Sequence, residues 1–349
     1  MSNQNHAGIS LEKIKESQKE YAKFSAKWWK KNKVVNWAVV ILFGIIFFAF
    51  LIVSIFPIYA VKYKLAGSSF DQTMENKIIE DYYKDLKNEG KMNLPFKDYN
   101  SQSVVDDLNE LIQNEAGKLA GDYGVYIQDL DSGKEYGLNT DKKFTAASLS
   151  KLFVAAAYYK EAVLDPSLVE SNLLLKNEDR ISGNGSTYND PVGSEYQASL
   201  LMEKMLKESD NTAMAILTRE VGADKVEKLI QDLGLKNTSF YYNDTSPYDM
   251  GSFLNQLYNK DILLDDNTKA MLDNMQNTSF EDRLPYYLPA GTRVAHKIGN
   301  WDGAYSDAGI IYGKNKNYII VVMTENANYE EAVNFMRKIS QVVYNYFNS

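Results

Sequence analysis

Hydrophobic positions follow three different patterns along this chain. Over residues 34–61 they are nearly continuous, interrupted mainly by Asn36, Ser54 and Pro57. That run of 28 residues is long enough to cross a hydrocarbon core of about 30 Å with some tilt. Over 70–87 the apolar residues Ile78, Ile79, Tyr82, Tyr83 and Leu86 make a rough helical stripe, and 89–103, with Gly90 and Pro95, reads as a polar spacer. From Val104 onward the spacing becomes that of a packed domain. It predicts an amphipathic helix over 105–119, then an alternating strand over 123–130, a turn at Asp131-Ser132-Gly133 and a returning strand over 134–138. Residues 148–230 and 248–276 are expected to be mainly helical. Strands follow at 293–298, 304–312 and 317–324, and a helix over 329–347 closes the chain. This order predicts an α/β fold: an antiparallel sheet in which both ends of the domain meet, flanked by helices, plus an all-helical lobe.

Charge assigns sides to the apolar run. Residues 1–64 carry ten lysines against Glu12, Glu16 and Glu20, a net +7; the whole chain is −8, so residues 65–349 carry −15. Lys27, Lys30, Lys31 and Lys33 precede the run, with Trp28 and Trp29 as interfacial anchors, and only Lys62 and Lys64 follow closely. The positive-inside rule then predicts a single-pass protein of the cell membrane. Its parts are a cytoplasmic basic tail (1–33), a transmembrane helix in the lipid bilayer (34–61), an extracytoplasmic linker (62–103) and an outer domain (104–349). A cleaved signal peptide is the competing reading. It is disfavoured by the long basic region and by an apolar run exceeding the usual ~7–15 residues.

Composition narrows the chemistry. The acidic body repels phosphate backbones, so nucleic acid is not an expected partner. The chain has no cysteine, which excludes disulfides, thiolate metal sites and a lipidated cysteine. With only His6 and His296, neither a histidine-rich metal site nor a Ser-His-Asp triad is readily built. No cofactor is expected. A serine enzyme made from this chain needs another base, and lysine is the obvious one.

Three short runs supply such a set: Ser148-Leu149-Ser150-Lys151, Ser209-Asp210-Asn211 and Lys297-Ile298-Gly299. Ser148 and Lys151 are three apart at the start of an apolar helical stretch, so one helix face carries both, while Ser150 points elsewhere. A lysine disfavoured in its charged form by burial and by a second lysine can serve as the base for serine. Each run alone is weak. Ser10-Leu11-Glu12-Lys13 matches the first pattern within the predicted tail, Ser-Asp-Asn is ordinary helix-capping chemistry, and a strand lysine before a turn is commonplace.

Together, in this order and in these contexts, the runs resemble the active site of the penicillin-recognising serine enzymes, the class A β-lactamases and penicillin-binding proteins. The stretches 185–211 and 296–312 read like their counterparts, and the resemblance spans roughly 105–349. It implies a β-lactamase/D,D-peptidase-like fold and an acyl-enzyme on Ser148. Lys151 would be the base, and Ser209 would pass a proton to the leaving nitrogen. Asn211 would hold the substrate amide and help position Lys151. Lys297 and Gly299 would bind the substrate, with Lys297 taking its carboxylate and lowering the proton affinity of Lys151. The N–H groups of Ser148 and Asn300 would form the oxyanion hole, and Asp210 would be a structural partner. The implied ligands are β-lactams or the acyl-D-Ala-D-Ala stem peptides they mimic.

The sequence departs from that pattern twice. Ile298 stands where the family has a hydroxyl residue. The Glu-x-x-Leu-Asn segment, whose glutamate activates the deacylating water, is missing: Gly234 to Phe240 runs almost directly into Asn243-Asp244-Thr245-Ser246-Pro247. Asp244 is the nearest carboxylate and better matches the anchor of the missing loop than a base. A serine hydrolase of β-lactamase type, a slow-releasing D,D-peptidase and a non-catalytic receptor for β-lactams or peptidoglycan therefore stay open. A purely structural envelope protein fits the intact motifs least. Alternation along the strand turns His296 away from Lys297, which makes it structural. Trp301 and Asp302 are expected at the site rim, and Asp307 as a tether between strands.

Overall fold

The computed structural model describes residues 108–348; the predicted tail, membrane segment and spacer lie outside them. Helix α1 (Leu108–Ala116) leads into strands β1 (Asp122–Asp129), β2 (Glu135–Leu138) and the short β3 (Phe144–Thr145). A 3₁₀ turn at Ala147–Leu149 opens α2 (Ser150–Leu164), and the small strands β4 (Asn172–Leu174) and β5 (Glu195–Gln197) precede α3 (Ala198–Lys207), α4 (Asn211–Val221) and α5 (Ala223–Asp232). Then come β6 (Asp244–Thr245), α6 (Pro247–Tyr258), α7 (Asp265–Asn274), β7 (Arg293–Trp301), β8 (Ala304–Tyr312), β9 (Asn317–Glu325) and α8 (Tyr329–Asn348).

The main sheet has the order β2-β1-β9-β8-β7 and is antiparallel throughout. Its central strand explains itself: Tyr318 to Met323 is an unbroken apolar run because both faces are covered. Ile319, Val321 and Met323 face the helical lobe, whereas Tyr318, Ile320 and Val322 face the layer that contains α1 and α8. β1 is built the same way, with Tyr126 turned to the lobe and Val125 and Ile127 to the terminal helices. Helix α2 is apolar all round and sits in the middle of the lobe, with every residue from Ser150 to Tyr159 buried.

The segment 166–197 differs from expectation. It is not mainly helical but a chain of 3₁₀ turns joined by the β4–β5 hairpin. Its apolar residues Leu168, Val169, Leu173 and Leu175 mimic a helical spacing, yet Pro166 and the left-handed Gly183, Gly185 and Gly193 break it. Asp179, almost fully buried, accepts from Arg219 Nε at 2.9 Å and so ties this segment to α4. β7 also runs three residues past its predicted end, to Trp301. Among the described residues no helix is long and apolar enough to cross a membrane.

Candidate active site

Ser148 lies in the 3₁₀ turn that opens α2, and its side chain is only half buried while its neighbours are covered. That turn is held from three directions. Ala146 N donates to Asn243 O at 2.8 Å, Ser150 Oγ donates to Ala147 O at 2.7 Å, and Glu325 at the end of β9 accepts from both Thr145 N (3.0 Å) and Thr145 Oγ1 (3.2 Å). Ala147, Ser209 and Asn243 all adopt left-handed φ near 50° (48°, 56° and 53°). Such conformations cost non-glycine residues about 1–3 kcal/mol each and persist only where surrounding structure enforces them.

The side chains of the three motifs converge. Lys151 Nζ is 2.7 Å from Ser148 Oγ, 2.7 Å from Asn211 Oδ1 and 3.4 Å from Ser209 Oγ. Lys297 Nζ, reaching in from β7, lies 2.9 Å from the same Ser209 Oγ. Both lysines are essentially buried. Burial pulls the pKa of Lys151 down to about 8 against the opposing charge of Asp210, and burial followed by the charge of Lys151 pushes Lys297 well below its ordinary value. Asn211 Nδ2 donates to Ser182 O at 3.1 Å, so its amide orientation is set from the far side. Asp210 caps α4, accepting from Ala213 N and Thr187 N, each at 2.8 Å.

β7 closes the other wall. Lys297 and Gly299 share the face toward Ser148, and Ile298 is buried on the alternate pleat. A Cβ on Gly299 would sit 2.8 Å from Ala146 O and 3.4 Å from the Ala147 Cβ, which is why only glycine lets the strand run this close to the Ser148 turn. The backbone of Gly299 and Asn300 thereby runs against the turn that carries Ser148. Arg283, 1 % exposed, braces this edge: Nη1 donates to Gly299 O at 3.2 Å and Ser306 O at 2.7 Å, and Nη2 to Asn300 Oδ1. Nothing in the periodicity of the sequence pointed to Arg283 or to Glu325, because each acts across more than a dozen residues of chain. Trp301 and Asp302 are exposed at the end of β7.

In place of a long loop, residues 239–244 form a tight turn in which Ser239 N donates to Asp244 O at 3.0 Å and Asp244 N to Ser239 O at 3.2 Å. The turn residues Phe240, Tyr241, Tyr242 and Asn243 include no carboxylate. Asp244 pairs with Lys143 at 3.2 Å.

A profile of the beta-lactamase enzyme family matches residues 104–347. The chain belongs to that family. A β-lactamase of Proteus vulgaris is 26% identical over 240 residues, covering 64% of this chain and 78% of its own. The solved structure of PBP-A is similar at 26% identity and TM-score 0.66, covering 69% of this chain and 95% of PBP-A. A PBP-A variant caught as an acyl-enzyme complex with penicillin G matches at 26% identity and TM-score 0.65, covering 69% and 96% respectively. This member of the beta-lactamase enzyme family therefore has the α/β fold of the penicillin-recognising serine enzymes, with their antiparallel sheet and helices.

On the back of β7, this β-lactamase-family chain buries His296 completely, with Asp307 Oδ1 at 2.9 Å from Nδ1. Burial opposes its charging, but Asp307 and then Glu281 outweigh burial and lift its pKa from 6.5 to about 9. A folded-state value above the unfolded one gives stability that is fully present below pH about 6.5 and is lost as the pH rises through about 9. The destabilisation that His296→Gln causes in urea unfolding is thus expected to shrink by up to about 3 kcal/mol between pH about 6 and 10. A difference independent of pH would contradict a charged His296.

Proposed function

We propose that this chain is a membrane-anchored active-site-serine hydrolase that forms an acyl-enzyme on Ser148 with β-lactams or acyl-D-Ala-D-Ala peptides and releases it slowly. The observation that carries this reading is the buried Lys151 amine 2.7 Å from an accessible Ser148 hydroxyl, with Ser209 joined to both lysines. Membrane anchoring rests on the apolar run and its flanking lysines.

In this mechanism neutral Lys151 takes the proton from Ser148 Oγ, which attacks the substrate carbonyl carbon. The N–H groups of Ser148 and Asn300 hold the developing oxyanion. The C–N bond breaks as Ser209 Oγ gives its proton to the leaving nitrogen, and Lys151, which holds the proton taken from Ser148, restores it. Asn211 holds the substrate amide carbonyl, and Lys297 its carboxylate. Ile298 offers no hydroxyl to that carboxylate, so its recognition falls on Lys297 and on neighbouring backbone.

The second half-reaction lacks its usual base. The short turn at 240–243 supports a long-lived acyl-enzyme, in keeping with a penicillin-binding D,D-peptidase or receptor more than with a fast β-lactamase. A chromogenic cephalosporin mixed with the chain is expected to give a burst of about one equivalent of opened ring, followed by a steady phase at least about 100-fold slower than the burst. Linear turnover without a burst would contradict slow release, and absence of any ring opening would contradict the acylation step.

A further inference from the structure

Behind the catalytic strand lies a polar cluster, fully buried at His296 and Asp307, that the acylation chemistry leaves unused. The Nδ1 of His296 faces both carboxylate oxygens of Asp307 on β8, at 2.9 and 3.1 Å. Its Nε2 faces Thr278 Oγ1 at 3.4 Å and Glu281 Oε1 at 3.5 Å, in the segment joining α7 to β7. A neutral imidazole carries a single N–H, so carboxylates at both ring nitrogens favour the doubly protonated ring, a donor at each end.

The groups that His296 touches also hold that segment down. Asp307 Oδ2 accepts from Leu284 N at 3.1 Å, and Glu281 Oε1 accepts from Thr278 N at 2.6 Å. His296 N donates to Met275 O at 2.9 Å, and Ser340 on α8 donates to Leu284 O at 2.7 Å. Between Glu281 and Leu284 stands Arg283, whose guanidinium grips Gly299 O, Ser306 O and Asn300 Oδ1. Of these, Asn300 is the residue whose N–H the acyl-transfer reading places in the oxyanion hole, and Gly299 lies beside it in the substrate-binding wall. A small displacement there is costly, since misplacing a reacting group by about 1 Å can lower a rate about 100-fold.

We infer that His296 is a positioning residue for acylation: with Asp307 and Glu281 it pins the segment carrying Arg283, so that Gly299 and Asn300 are held against the Ser148 turn. The inference rests on the acyl-transfer reading of the site and adds to it a residue on the opposite face of β7. Its effect falls on the rate of the chemical step and not on ligand binding, because His296 is fully buried on the face of β7 opposite Lys297 and Gly299.

The test is a double-mutant cycle on the full-length chain in detergent, using a fluorescent penicillin and reading the apparent binding constant separately from the limiting acylation rate. His296→Gln is expected to lower the limiting rate about 10-fold with binding unchanged. Combined with Arg283→Met it is expected to be no slower than Arg283→Met alone, because both act through one linkage. Glu281→Gln, at a half-exposed side chain, is expected to lower the same rate by about 2- to 5-fold and carries the test if His296→Gln does not fold. Unchanged limiting rates in these variants, or effects of His296 and Arg283 that simply multiply, would overturn the inference while leaving acylation of Ser148 intact. A wild-type chain that is never acylated would overturn both.

Discussion

Replacing Lys151 by methionine is expected to slow acylation of Ser148 by about 10³- to 10⁴-fold while the protein stays folded. Methionine keeps the length and apolar stem of a side chain that is 2 % exposed, and it removes the amine held between Ser148 Oγ and Asn211 Oδ1. The pH dependence separates this loss from a packing defect. In the wild type the base works only when neutral, so the rate is expected to climb as the pH rises toward about 8 and then to level. In the variant the residual rate has no such rise. Stopped-flow acylation between pH about 6 and 10 checks both points. A methionine variant that keeps the rise would assign it to Lys297 or to another group.

Gly299→Val is expected to be nearly as damaging for a purely steric reason. A side chain there starts 2.8 Å from Ala146 O, a backbone atom that cannot rotate away, and it adds methyl groups toward Ala147 and Leu149. Either β7 or the Ser148 turn must move. We expect acylation to fall by about 100-fold or more and stability by about 1–3 kcal/mol, with Gly299→Ala intermediate in both. Acylation kinetics alongside urea unfolding would show it. A valine variant with a normal acylation rate would mean that the strand does not need this approach.

Ser148 and Lys151 were legible together because helical spacing puts residues three apart on one face. The central strand was legible because a strand buried on both sides must be apolar throughout. The convergence of Ser209, Asn211 and Lys297 on Lys151 could be expected only from the resemblance to a known family, since their separation in sequence carries no geometry. Arg283 and Glu325 were invisible: one braces β7 from a segment without periodicity, the other caps Thr145 across 180 residues. The stretch 166–197 misled because leucines spaced for a helix served instead to anchor turns, and its glycines outweighed them.

The central claim is that Ser148 is acylated and then released slowly. Intact-mass spectrometry of the full-length chain with benzylpenicillin, followed over hours and mapped by peptide digestion, tests it most directly. The account predicts one added equivalent on the peptide containing Ser148, persisting long after free penicillin is removed and absent from a Ser148→Ala chain. No adduct, or an adduct on any other residue, would contradict it.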